Sequence, residues 1–254
     1  MMRGIYYAAR GMALESKKQE IISNNLANAT TDGFKKDMVV VRSFHDRLKA
    51  VQRGRQNMSI GEMAQSPLME TVVTSFSKGS LEQTSRPLDF AMAGEGFFGV
   101  ETSEGIRYTK NGRFQLDGEG FLVTAQGHWV LDADRNRLEL LTKEILVDEN
   151  GGIWNQQEEP QQLIGTLMAA VFDEEGLSHL HKQGSHLFVL EGDFEAVQGQ
   201  GQVRQGMIEK SNVDLIKEMV DMMTVMRMYE ANQKSLQAQD EMTGKSINEV
   251  GKLR

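Results

Sequence analysis

The chain contains no cysteine, and its 254 residues include only three prolines, Pro67, Pro87 and Pro160. Without thiols it can have no disulfide framework, no thiolate metal site and no cysteine nucleophile. No apolar run approaches the roughly 20 residues that a membrane-spanning helix needs. The first 30 residues are interrupted by Lys17, Lys18 and Glu20 and show neither a continuous apolar core nor a small-residue cleavage pattern. Any passage out of the cytoplasm is therefore expected to leave the chain uncleaved. A GxSxG nucleophile motif is also missing. The carboxylates are scattered as on an ordinary acidic surface, and nothing in the sequence reads as an active site or a cofactor site.

What is present is unevenly charged. The net charge is −8, yet residues 1–55 carry 11 Lys/Arg against 5 Asp/Glu, whereas residues 56–208 carry 10 against 23. The basic head is spread through amphipathic sequence with no block of five or six like charges, which argues against nucleic-acid binding. A chain of this length can bury a core of its own, as one large domain or two modest ones.

Three textures follow along the chain. From Met2 to about Asn28, apolar residues at Ile5, Ala9, Met12, Ile22 and Leu26 recur near helical spacing, predicting one amphipathic helix about 40 Å long. A second amphipathic stretch is expected over Met38 to Arg53. From about Leu68 to Gly206 the turn signals SEG, NG, DGEG and QG separate short β-prone runs such as 106–109 and 120–124, with "LIGTLMAAVF" and "HLFVLEGD" as further strands. This predicts an antiparallel β domain.

The third texture begins at "SNVD", where Ser211 is expected to cap a helix running to about Val250. Heptads with a at Asn212, Met219, Met226, Gln233, Asp240 and Ile247, and d at Leu215, Met222, Tyr229, Leu236, Thr243 and Val250, place apolar residues at eight of twelve positions. The expected fold class is therefore α+β: long N- and C-terminal helices paired as a coiled coil, residues 1–55 with 207–254, around a central mainly antiparallel β domain, residues 56–206. A helix of about 39 residues spans about 58 Å, whereas a β domain of about 140 residues is about 40 Å across. Between Val213 and Tyr229 apolar side chains fall on nearly every face, more than one antiparallel partner helix can cover. An assembly interface is the reading that accommodates them.

Several motif matches fail on their surroundings. "GEGFFG" at 94–99 fits GxGxxG, but strand and turn follow it where a dinucleotide site needs a helix; its glycines are expected to serve a tight bend with Phe97 or Phe98 in the core. "DADRNR" starts like a calcium loop at Asp132, Asp134 and Asn136, yet Arg137 stands where glycine is needed and Lys143 where the bidentate glutamate belongs. His179, His181 and His186 are close in sequence, with Asp173 or Glu174 as a conceivable third ligand, but proximity alone does not make a metal site.

Three blocks together carry a likeness: "SNNLANATTDGFKK" near the start, "LDFAMAGEGFFGVETSEGIRYTKNGRFQLDGEGFLVTAQGHWVL" in the middle, and "GMIEKSNVDLIKEMVDMMTVMRMYEANQKSLQAQDEM" at the end. In this order the chain resembles the flagellar basal-body rod and hook proteins, most closely the rod members. The resemblance implies a structural axial protein and not an enzyme. It implies helical polymerisation into the shaft joining motor to hook, and export through the flagellar type III apparatus without signal cleavage. The implied partners are other copies of the chain, other rod and hook proteins and the export apparatus, with no nucleic acid, no membrane insertion and no cofactor. The implied location is the basal body, outside the cytoplasmic membrane.

On the first block sit Asn24, Asn25, Leu26, Ala27, Asn28, Thr31, Gly33, Phe34 and Lys35; on the second Gly94, Gly96, Phe97, Phe98, Asn111, Gly112 and Phe114; on the third Ser211, Asn212, Val213, Met219, Tyr229, Glu230 and Asn232. Asn24, Asn25, Leu26, Asn28, Gly33, Phe34, Lys35, Met219, Met222, Met226, Tyr229, Asn232 and Leu236 are the expected assembly positions, and Gly94, Gly96, Asn111 and Gly112 the expected fold-critical turns. A cell-wall-acting enzyme is the alternative; it needs convergent carboxylates in a cleft, which the sequence does not identify. A DNA-binding coiled coil using the basic head is a third reading. For Asn24 to Lys36 the expectation is a corner: poor helix-interior residues stop the first helix, Gly33 supplies a positive φ, and Phe34 packs back as an apolar lock.

Overall fold

The computed structural model describes residues 2–43, 68–140, 142, 144–155, 162–192, 197–198 and 201–251. Three helices, α1 (Met2–Ala27), α2 (Glu174–Ser178) and α3 (Leu215–Gly251), accompany eighteen strands among these residues. The chain divides into two compact units. Met1–Ala27, Lys36–Ser75 and Asp214–Arg254 form the first; Asn28–Lys35 and Phe76–Val213 form the second.

In the first unit the strands Asp37–Ser43 and Leu68–Thr74 pair antiparallel, Asp37 opposite Thr74 and Ser43 opposite Leu68. The stretch expected to be amphipathic from Met38 thus opens as a strand, in keeping with its β-branched run Val39, Val40, Val41; its remainder from Phe44 lies outside the described residues. α1 stops at Ala27, one residue before the expected end. α3 starts at Leu215, capped by Asp214, whose Oδ1 accepts from the backbone N–H groups of Ile216 at 3.0 Å and Lys217 at 3.2 Å. Ser211, the expected cap, instead accepts from the N–H of Val213.

The expectation of paired terminal helices forming a coiled coil is overturned. The chain is mostly strands in several antiparallel sheets, with one helix at each end. α1 has 26 residues and α3 has 37, so part of α3 has no counterpart on α1. At two of the points where they meet, glycine faces amide: a Cβ on Gly4 would lie 2.5 Å from Gln239 Oε1, and one on Gly11 2.9 Å from Asn232 Nδ2. A coiled coil needs apolar knobs at a and d. Four of the positions assigned to a, Met219, Met226, Gln233 and Asp240, are exposed, while Glu218 and Val225, each one residue before an assigned a position, are buried.

The second unit is the β domain. Its largest sheet runs through Leu180–Gln183, Leu187–Leu190, Gly105–Thr109, Phe97–Thr102, Trp129–Val130, Leu122–Thr124 and Phe114–Leu116, with Ala169–Val171 pairing both Phe97–Thr102 and Val197–Gln198. Smaller antiparallel sets join Ile145–Val147, Gly152–Asn155 and Leu163–Thr166, and pair Val203–Gln205 with Phe90–Met92 and Met207–Glu209 with Leu81–Gln83. Local turn chemistry sets the spacing of these strands. Asp117 Oδ1 accepts from the N–H groups of Glu119 and Phe121, Asp132 Oδ1 from those of Asp134 and Asn136, and Asp148 Oδ1 from those of Asn150 and Gly152. Each carboxylate thereby reinforces a turn whose backbone bond is accepted by the same residue's carbonyl. Phe90, Phe98, Phe114, Leu122 and Ile153 centre one apolar cluster, and Phe97, Tyr108, Phe172 and Phe188 the other.

Candidate assembly site

The corner after α1 is built from both sequence ends. In the second unit Thr31 N–H donates to Asn28 O at 3.1 Å, and Phe34 N–H to Thr31 O at 3.3 Å, winding the chain tightly past the helix end. Gly33 has φ +70, and a Cβ there would lie 2.4 Å from Asn111 N and 2.5 Å from Lys110 C, so the conformation favours glycine and the space requires it. Its N–H donates to Glu209 O at 2.7 Å. Phe34 is fully buried with the Lys182 ammonium 4.1 Å from its ring centroid, a cation–π contact.

Lys35 is also fully buried. Its Nζ lies 2.6 Å from Glu209 Oε1 and donates to Ser77 O at 2.8 Å, while Gly79 N–H donates to the same Glu209 oxygen at 2.9 Å. Glu209 Oε2 faces the buried Lys110 ammonium at 3.9 Å. Lys110 in turn donates to Gly94 O at 3.1 Å and stands 5.0 Å from the Phe97 ring centroid. Burial pulls the Lys110 ammonium down to about 8, against the opposing pull of Glu209. Asp32 is held by Arg113 at 3.1 Å and Lys210 at 3.0 Å. Asn212 N–H reaches Phe34 O at 3.4 Å, and its amide donates to Ser77 O. The first and last sequence blocks thus lock to each other within this unit.

In the first unit Asn25, 1% exposed, uses its amide as a clamp. Its Nδ2 donates to Asp37 O at 2.9 Å, its Oδ1 accepts from Asp37 N–H at 3.0 Å, and Glu218 Oε2 lies 3.4 Å away. The clamp fixes where the strand begins relative to the end of α1. Asn24 is exposed, and Leu26 is half-buried.

α3 supplies the opposite kind of surface. Ile216 is 76% exposed, Val220 50%, Met223 52%, Met219 47% and Met226 46%. Spaced at i, i+3, i+4, i+7 and i+10, they share one side of the helix. Met222, Tyr229, Asn232 and Leu236 are half-buried on the other side. Of the expected assembly positions, Asn25, Gly33, Phe34 and Lys35 therefore lie inside the subunit, and Met219 and Met226 on its surface. Of the expected turns, a Cβ on Gly112 would lie 1.7 Å from Phe90 O and one on Gly96 3.2 Å from Met92 Cγ, whereas Gly94 faces open space. Asn111 closes a turn by accepting from Arg113 N–H at 3.0 Å. Glu209, Glu218 and Lys110 lie within the sequence blocks but not among the expected positions, and Asp37 follows the first block; the one available signal for Glu209 is an acid in a strand beside Ile208.

The other motif residues have structural surroundings. Phe97 and Phe98 are both in the core. His186 is buried with Nδ1 2.9 Å from Ser185 Oγ, and His181 is exposed 3.6 Å from Glu191. Among the described residues no three His, Asp or Glu side chains are grouped to hold a metal ion, and no helix is long and apolar enough to cross a membrane. A cleft of about 250 Å³ lined by Phe76, Phe97, Phe172 and Leu177 holds Glu95, Lys78 and Lys110, one carboxylate where glycoside hydrolysis requires two.

Comparison with known proteins bears on the same segments. Three family models match: flagella basal body rod protein over residues 5–35, flagellar hook protein FlgE/F/G D1 domain over 91–155, and flagellar basal body rod FlgEFG protein C-terminal over 204–249. The chain is 32% identical to the flagellar hook-basal body complex protein FlhO of Bacillus subtilis over the whole of both chains. It is 31% identical to the flagellar basal-body rod protein FlgG of Borreliella burgdorferi over 98% of each chain. To FlgG of Bacillus subtilis it is 29% identical, over 98% of this chain and 99% of the relative.

Proposed function

The chain belongs to the flagellar basal-body rod protein family, and on that premise we propose that it polymerises helically with copies of itself and with other rod and hook proteins through the exposed apolar side of α3. It is a structural subunit of the basal-body rod and not an enzyme, and its place is the flagellum. The observation that carries the mode of assembly is the row Ile216, Met219, Val220, Met223 and Met226, each close to half exposed or more. Burying a large apolar side chain is worth about 1.5–3 kcal/mol, so five left in water are a strong drive toward a neighbour. One helix side meeting a different patch on the next subunit is a heterologous contact, and with a rotation between neighbours that does not close it builds an open helical tube. The domain division of residues 1–55 with 207–254 as inner tube and 56–206 as outer domain belongs to this proposal, as does export through the flagellar type III apparatus without cleavage.

The test is to replace the native chain in motile cells with the Ile216→Asp/Val220→Asp variant and to image isolated basal bodies. Rods are expected to be missing or truncated, while Glu119→Lys, an exposed change on the β domain, leaves them intact. Normal rods built from the Ile216→Asp/Val220→Asp chain would refute assembly through this side of α3.

A further inference from the structure

Sulfur is concentrated where the subunit is most exposed. With no cysteine in the chain, methionine is the sole oxidisable sulfur, and Met219, Met222, Met223, Met226 and Met228 fall within ten residues of α3. Met219, Met223 and Met226 stand in the exposed apolar row at 47%, 52% and 46%. Met92 and Met168, in the β domain, are each 2% exposed. A thioether reacts with a peroxide or a hypohalous acid only where the oxidant reaches the sulfur, so one chain carries both an accessible and a shielded set.

We propose that Met219, Met223 and Met226 form an oxidation-sensitive modification site, at which a peroxide-class oxidant converts the docking side of α3 into one that cannot assemble. The inference rests on the assembly reading of this helix side. In the reaction one oxygen atom of hydrogen peroxide forms a bond to the thioether sulfur as the O–O bond breaks. The sulfur is oxidised by two electrons to the sulfoxide and the peroxide is reduced to water, with no other co-reactant. The product replaces a soft apolar group with a strong hydrogen-bond acceptor. Seated against an apolar neighbour, that acceptor loses its water without gaining a donor. Once a subunit is docked, the neighbour that covers these sulfurs also shields them, so the sensitivity belongs to the subunit before assembly.

The test treats purified full-length protein with hydrogen peroxide under native conditions, maps sulfoxides by peptide mass, and follows self-association by sedimentation at concentrations up to about 100 μM. Met219, Met223 and Met226 are expected to oxidise before Met92 and Met168, and the concentration needed for association to rise by roughly tenfold per sulfoxide and more than about a hundredfold in all. Methionine sulfoxide reductase should restore it. The Met219→Leu/Met223→Leu/Met226→Leu variant keeps the apolar volume and should associate normally before and after peroxide. The Met228→Leu/Met242→Leu variant, which removes two exposed methionines off the row, should stay sensitive. Unchanged association of oxidised wild-type protein, protection by the Met228/Met242 pair, or sensitivity of the three-leucine variant would each overturn the inference. Ile216→Asp contains no new sulfur chemistry and separates the two readings. If it blocks association and oxidation does not, only the oxidation site fails; if it associates as wild type does, or if wild type does not associate at all, assembly through this helix side fails and the oxidation site with it.

Discussion

Phe34 and Met226 are both large apolar residues in blocks that the rod family shares, yet Phe34 is fully buried and Met226 is 46% exposed. Around Phe34 the neighbours have roles inside the subunit: Lys182 on its ring, Gly33 at a positive φ with no room for a Cβ, Lys35 on Glu209. Around Met226 the exposed side is continued by Val220, Met223 and Ile216, with no described residue covering them. A large apolar residue in the corner therefore serves the fold, whereas one on α3 leaves much of its surface in water. Substitutions at the corner should cost monomer stability, and those on the row should cost only association.

The largest cost is expected at Lys35. Lys35→Met removes the ammonium that satisfies a buried carboxylate, stranding Glu209 with Lys110 3.9 Å away as its remaining cation. Breaking such a pair from one side costs about 3–5 kcal/mol, readable as a lowered midpoint in urea. Lys35→Met/Glu209→Met should recover much of the loss. Equal destabilisation in the single and double variants would show that the ion pair is not what holds the corner.

Gly33→Val comes next. A β-branched residue must adopt φ +70 with its Cβ 2.4 Å from Asn111 N, a main-chain atom with little freedom to move. Strain of this kind costs about 1–3 kcal/mol before any displacement of the neighbouring strand. Gly94→Ala, where a Cβ meets nothing within 4 Å, should be close to neutral. If thermal unfolding ranked the two glycines the other way, the corner would not be the constrained element.

The strand spacing and the corner glycine were legible in the sequence because their causes are local. The carboxylates of Asp117 and Asp132 bond to N–H groups two and four residues on, and Gly33 follows a run of poor helix formers. The buried lysine was not legible, since the residue that permits its burial, Glu209, is 174 positions away and a lysine read alone is a surface cation. The helix seam failed for a different reason. α3 is apolar on so many sides that a heptad can be drawn through Met219 and Met226, whereas the buried positions are Glu218 and Val225. Pattern shows that such a helix has surface to bury; it does not show which side the subunit itself has used.

Lys110 gives the corner a pH signature of smaller size. Its folded value is near 8 against an ordinary 10.5, so between these limits the unfolded chain binds the proton and the folded chain does not. Stability should therefore rise as pH rises from about 8 to about 10.5, by at most about 3 kcal/mol. Comparing wild type with Lys110→Met in urea at pH 7.5 and 10 isolates this contribution, which the variant lacks. A difference between the two proteins that stayed constant over that range would mean that Lys110 is not desolvated in the fold.

The smallest effect on the monomer should come from Ile216→Ser, although Ile216 is the most exposed large apolar residue on α3 at 76%. Little of its surface is taken from water within the subunit, so shortening it should leave unfolding within about 0.5 kcal/mol of wild type. The same change removes a side chain worth about 1.5–3 kcal/mol once fully covered, so the concentration for self-association should rise by roughly 10- to 100-fold. A stability loss above about 1 kcal/mol with unchanged association would place Ile216 with Phe34, inside the subunit, and would erase the distinction between the corner and the row.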